Sequence, residues 1–175
     1  MRVLTVDPPP AELEAVLERR RKIGADTHDE IWDGVLHMAP APQRRHAQIQ
    51  WQLSRILGPL ADTAGLCGLG EFNLGQPDDY RVPDAGLARP GTDALYLPTA
   101  ALVVEVLSPD DKTWEKLPFY AEHGVDELLI VDPETRKVDW LGLAAGKYEP
   151  IDHSGLIDLG PEQLAAQIDW PPLTD

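Results

Sequence analysis

Residues 101–140 read ALVVEVLSPDDKTWEKLPFYAEHGVDELLIVDPETRKVDW. An apolar run, interrupted by the single carboxylate Glu105, is followed by the turn-forming Ser108-Pro109-Asp110-Asp111. A short amphipathic segment carrying Lys112 and Lys116 comes next, and Gly124 is a natural helix stop. A second apolar run then ends at Asp132-Pro133. The pattern predicts a strand over about 100–107, a helix over about 112–122, which Pro118 kinks or limits to a few turns, and a strand over 127–131. Charged side chains are seldom buried without a partner, so Glu105 in an apolar strand calls for an explanation. Strand parity places it with Ala101, Val103 and Leu107 and away from Val104. A candidate partner lies upstream, at Asp84.

Working outward, Ile49, Leu53, Ile56, Leu57 and Leu60 recur at helical spacing between Gln43 and Leu60, with His46 on the same face. That histidine reads either as a partly buried structural residue or as a group at the mouth of a site. Strand-like segments follow at about 66–74 and 80–88, separated by Gly, Pro and Asp. The central order is therefore α-β-β-β-α-β. Nearer the N-terminus, Pro10 suits the first turn of a helix closed by Arg19-Arg20-Arg21-Lys22 and Gly24. Glu30-Ile31-Trp32 and Val35–Met38 flank an Asp33-Gly34 hairpin turn, and Ala39–Pro42 is a stiff connector. Downstream, a hairpin over 138–143 and 148–151 and a short helix near 161–168 complete the chain. The fold class is α/β (α+β), expected as one domain over 1–175: a helical extension (1–27), a core (28–140), and a C-terminal hairpin and helix (141–175).

The bulk properties narrow the function. The composition, 43% hydrophobic and 26% charged, is that of an ordinary globular protein with enough chain to bury a core. Cys67 is the only cysteine, which excludes an intramolecular disulfide and a cysteine-based zinc site. No secretory signal opens the sequence and no apolar run approaches the ~20 residues needed to span a bilayer, so a cytoplasmic location without membrane contact is expected. The net charge of −15 is uneven: residues 1–90 hold 10 basic and 13 acidic side chains, residues 91–175 hold 5 and 17. Such a field repels a polyanion unless a metal or a local basic patch offsets it, so charge alone disfavours DNA as a partner.

Arg81-Val82-Pro83-Asp84, followed by Leu102–Pro109 with Glu105 inside it, resembles the Uma2 family of restriction-endonuclease-like proteins. Lys116-Leu117-x-x-Tyr120, Gly124-Val125-x-Glu127, Val131-Asp132-Pro133, the segment His28–Gly34 and the His46 helix extend the resemblance over most of 28–140. The resemblance implies the PD-(D/E)xK nuclease superfamily, whose αβββαβ core matches the order read from periodicity, with a mixed central sheet flanked by helices. It maps the PD onto Pro83-Asp84 and the second acid onto Glu105. Leu107 stands where the motif lysine belongs, so that role passes to Lys116 on the following helix, with Lys112 in reserve. On this reading Asp84, Glu105 and the Val106 carbonyl hold Mg2+ or Mn2+, since two neighbouring carboxylates repel unless a cation or proton lies between them. Lys116 then orients water or stabilises the transition state, and His46 and Glu71 are second-tier members of the site.

Each residue also has a plainer reading: Asp84 as a strand-end turn residue, Glu105 as an ion-pair partner, Lys116 as a solvated helix lysine. Three functions follow. The first is a divalent-metal-dependent endonuclease acting on DNA. The second is a catalytically inactive nuclease-fold module for interaction or assembly, which the displaced lysine and acidic surface favour. The third is an unrelated acidic binding protein. A homodimer is expected only by analogy with nuclease folds that pair.

Overall fold

The structure is a computed structural model and describes residues 11–39, 42–91, 93–109 and 112–172. Pro8–Pro10, Pro40-Ala41 of the connector and Asp110-Asp111 of the expected turn lie outside the described residues. In order, the elements are α1 (Ala11–Lys22), β1 (Glu30–Trp32), β2 (Val35–His37), α2 (Arg44–Thr63), β3 (Cys67–Leu69), β4 (Asn73–Gln76), β5 (Asp79–Arg81) and β6 (Ala85–Ala88). These are followed by β7 (Tyr96–Leu97), β8 (Leu102–Val106), α3 (Thr113–Glu122), β9 (Glu127–Asp132), β10 (Lys137–Ala144), β11 (Lys147–Pro150) and α4 (Pro161–Gln167).

The strands form two mixed sheets. One runs β2-β1-β5-β4-β7 and the other β11-β10-β9-β8-β6-β3. The second sheet contains the expected core: α2, β3, β6, β8, α3 and β9 reproduce α-β-β-β-α-β, with β8 and β9 parallel across the α3 connection. The two strands expected over 66–74 and 80–88 are each broken in the middle. β3 and β6 pair in the larger sheet, whereas β4 and β5 leave it to pair in the smaller one. The breaks fall at Gly70-Glu71-Phe72 and at Val82-Pro83-Asp84. Proline cannot donate to a ladder, which suits a place where the chain exits one sheet and enters another. The smaller sheet also takes in the N-terminal hairpin through the pairing of Ile31 with Tyr80. That hairpin turns as expected on Asp33 (φ 48°) and Gly34 (φ 75°), a two-residue turn with both φ positive. The short strand β7 was not visible as a periodic segment.

Alternation along β8 sorts the core into two sides. Leu102, Val104 and Val106 pack with Ile49, Leu53 and Leu57 of α2. Val103 faces the other way, with Phe119, Tyr120, Leu128 and Ile130. Glu105 shares this second side by parity, which directs it to α3. Both interior prolines are tolerated: α2 continues past Pro59, and α3 holds Pro118 within its ten residues. Gly124 (φ 64°) ends α3 as a left-handed residue, as expected.

Gly86 of β6 sets the approach of the sheet beside Asp84. A Cβ there would lie 2.7 Å from the Leu102 carbonyl oxygen and 2.8 Å from the Phe72 ring. Gly86→Ala is therefore expected to destabilise the fold by about 1–3 kcal/mol in urea denaturation, an overpacking cost. A loss below roughly 0.5 kcal/mol, within the range of neutral surface changes, would mean that this contact is slack.

Candidate active site

The bends bring four acidic or basic side chains from four elements into one place. Asp84 is the last residue of the β5-to-β6 bend, Glu105 comes from β8, Lys116 from α3 and Glu30 from β1. All four line a cavity of about 320 Å3, together with His28, His46 and Glu71. A larger, more apolar cleft of about 920 Å3 lies along β3 and the segment around β7, and of this set it shares only Glu71. The smaller cavity is the chemically equipped one.

Lys116 is the hub. Its Nζ donates to Glu105 Oε1 at 3.0 Å and to Glu30 Oε1 at 2.9 Å, with all three side chains largely buried. Tyr120, one helical turn further along α3, donates its hydroxyl to Glu105 Oε1 at 2.5 Å. Glu30 is held in turn by the Trp32 Nε1–H (2.6 Å) and the Val82 amide (2.8 Å). Arg81 reinforces this corner, its guanidinium lying 4.6 Å from the Trp32 ring centroid and 3.9 Å from that of Phe119. On the α2 side, Asp84 Oδ2 accepts from the Val106 amide at 2.7 Å and lies 3.0 Å from His46 Nε2. Gln50 donates to the Asp84 backbone carbonyl at 2.5 Å.

The structure thus brings Asp84, Glu105, Lys116 and His46 together. Lys112 is elsewhere: it is 42% exposed, its Nζ 3.9 Å from Glu115, so Lys116 is the lysine beside Glu105. Glu71 lines the cavity but is engaged by His28 at 3.1 Å and Gln50 at 3.4 Å. It occupies the β3–β4 bend and not a strand. The residues missed by sequence reading are Glu30, Tyr120 as a donor, and Gln50. Glu30 lay inside the His28–Gly34 segment of the family resemblance, but its local pattern does not mark it as the countercharge that a buried lysine needs.

Negative charge exceeds positive in this cavity. Glu105 is pushed up from 4.5 to about 7, first by burial and then, against the pull of Lys116, by the nearby Asp84 and Glu30. Burial works against the Lys116 charge, but Glu105 and Glu30 outweigh it and hold its pKa above the ordinary lysine value. Burial and Glu105 likewise keep Tyr120 a phenol, suited to donate. A second buried acid, Glu127, offers a contrast. Its two oxygens are taken up by Trp140 Nε1 (2.8 Å), Ser154 Oγ (2.6 Å) and the Gly155 amide (2.7 Å). That is the pattern of a structural carboxylate. By comparison Asp84 Oδ1 and Glu105 Oε2 accept no hydrogen bond from a described residue.

Those two oxygens, in a cavity short of positive charge, fit a hard divalent cation that uses one or two carboxylates and keeps several waters. They do not make an all-protein cage: among the described residues no group of three or more His, Cys, Asp or Glu side chains is placed to hold a metal ion.

The sequence matches the Uma2 family, described as "Putative restriction endonuclease", over residues 12–169. The chain belongs to that family. It also resembles a crystal structure of a "putative nuclease belonging to DUF820" from Anabaena variabilis ATCC 29413, with a TM-score of 0.65 and 18% identity over 79% of this chain and 90% of that one. At that identity the likeness establishes a shared fold. No match is found among functionally curated proteins. No helix among the described residues is long and apolar enough to cross a membrane.

The Glu105 shift has a thermodynamic consequence. Its folded pKa lies above its ordinary value, so the folded chain holds this proton more tightly than the unfolded chain. The resulting stability is fully present below about 4.5 and is lost as pH rises through about 7. Metal-free protein is expected to melt at progressively lower temperature from about pH 5 to about pH 8, and Glu105→Gln to show a shallower decline. Equal slopes for the two proteins would contradict the assignment.

Proposed function

We propose that this protein is a divalent-metal-dependent endonuclease that hydrolyses DNA phosphodiester bonds at the cavity bounded by Asp84, Glu105 and Lys116. The observation that carries the proposal is the pairing of one buried ammonium with Glu105 beside Asp84, in a family described as "Putative restriction endonuclease". When bound, a Mg2+- or Mn2+-type ion supplies charge neutralisation and Lewis acidity at a phosphate oxygen. Asp84 and Glu105 would hold it through the oxygens their protein partners leave open.

The chain's own residues divide the remaining work. The Val106 amide and His46 fix the Asp84 carboxylate, so its second oxygen is presented without rotamer freedom. Tyr120 and Lys116 do the same for Glu105. Lys116 keeps its proton at neutral pH, which suits it to stabilise negative charge developing on a phosphate and unsuits it as a general base. Its position on α3 supplies at the site the cation that Leu107, just after β8, cannot supply.

A second reading, a nuclease-fold module without turnover, draws on the net charge of −15. Incubation of supercoiled plasmid and single-stranded DNA with Mg2+ or Mn2+ separates the two. The nuclease reading expects nicking that falls to background in Asp84→Asn and Glu105→Gln and drops by about 10^2-fold or more in Lys116→Ala. Cleavage that survives Asp84→Asn, or no cleavage by the parent with either metal, would reject it.

A further inference from the structure

The helix that carries His46 and Gln50 into the cavity has a second face with a composition unlike the rest of the molecule. From Arg44 to Ala61, α2 contains three arginines and no acidic residue, in a chain whose net charge is −15. Arg44, Gln48, Trp51 and Arg55 follow one another at spacings of four, three and four residues and are all exposed. Trp51 is 66% exposed, an unusual position for so large an apolar side chain. Arg44 and Arg55 form no ion pair with a described residue, whereas the basic end of α1 is partly neutralised by Glu18 and Asp29. At 1.5 Å per residue the two arginines are about 16 Å apart along the axis, with Trp51 between them. One acid, Asp169, borders the strip, tied through its backbone to the Gln52 side chain.

We propose that this face of α2 is a docking strip for a single strand of DNA. Arg44 and Arg55 would contact phosphates, Trp51 would stack on a base, and Gln48 would hydrogen-bond to sugar or base edges. With Trp51 as its one large apolar side chain, the row Arg44, Gln48, Trp51, Arg55 lacks the apolar core of a protein interface, but it matches the basic groove and stacking platform of single-strand binders. The strip also starts beside the cavity: Gln43 lines the cavity wall and Arg44 is the next residue. The strip lies on the face of α2 opposite His46 and Gln50, so a strand following it meets the cavity past the N-terminal end of the helix, at Gln43. This proposal deepens the nuclease reading and rests on it for the choice of DNA as the polyanion.

The test measures binding without cleavage. The full chain, in EDTA, is titrated into a fluorescein-labelled single-stranded oligonucleotide of about 16 nucleotides, and anisotropy is read at several salt concentrations. Trp51→Ala is expected to weaken binding about fivefold or more. The double variant Arg44→Ala/Arg55→Ala is expected to weaken it further and to lower the slope of log K against log salt by about 1.4. All three positions are exposed, and a melting curve for each variant checks that the fold is kept. Failure of the parent to bind, or parental affinity and salt slope in both variants, would overturn the strip. So would a parent dimer in light scattering that Trp51→Ala dissociates without changing DNA affinity, since the face would then join two copies. The two proposals fail separately. Asp84→Asn that stops cleavage beside strip variants that bind normally leaves the nuclease and removes the strip. Strip variants that lose binding in a protein that never cleaves leave the strip and remove the nuclease.

Discussion

The ammonium of Lys116 is the point on which the site depends. It joins two carboxylates that come from different sheets: Glu105 from the central strand of the larger sheet and Glu30 from the N-terminal hairpin in the smaller one. Two buried acids of like charge would be costly without it, and a buried lysine would be costly without them. Neither sheet alone satisfies all three groups. The hairpin, which lies outside the αβββαβ core, is thereby bound into the site by charge as well as by the Arg81 stack between Trp32 and Phe119.

The same geometry explains why the site lies where it does. The chain leaves the larger sheet at Gly70, forms β4 and β5 of the smaller one, and returns at Pro83. The bends open a cavity between sheets instead of filling it with a continuous ladder. Asp84 is the last residue of the second bend, where its carboxylate reaches the Val106 amide. Glu105 is one residue before that amide and reaches Lys116 and Tyr120 of α3. With Ala85 opposite Val104 in the β6–β8 register, Asp84 lies across from Glu105 at the end of the pairing, one acid held from α2 by His46 and the other from α3.

Much of this was legible from local pattern. Glu105 stood out because a carboxylate interrupts an apolar run, and Lys116 because the motif position is held by Leu107 while the next helix offers two lysines. Between Lys116 and Lys112 the sequence left the choice open; in the fold Lys116 pairs with Glu105, while Lys112, just before α3, lies 3.9 Å from Glu115. The split of two apparent strands across two sheets was hidden, because side-chain alternation continues through Gly70 and Pro83 and does not report which partner a strand pairs with. Glu30 was hidden for a related reason. It lies in a three-residue strand whose pairing with β5 is distant in sequence, so nothing local distinguishes it from a solvated acid. Its partner, 86 residues away, only becomes a neighbour when the fold is complete.

The most direct measurement of the central claim is anomalous diffraction from crystals of the full chain equilibrated with Mn2+. The account predicts an anomalous peak within coordination distance of both Asp84 and Glu105, with Lys116 still paired to Glu105 or Glu30 beside it. Full equilibration that leaves no peak there, or a peak bound by other residues while these two carboxylates stay unmetallated, would contradict it.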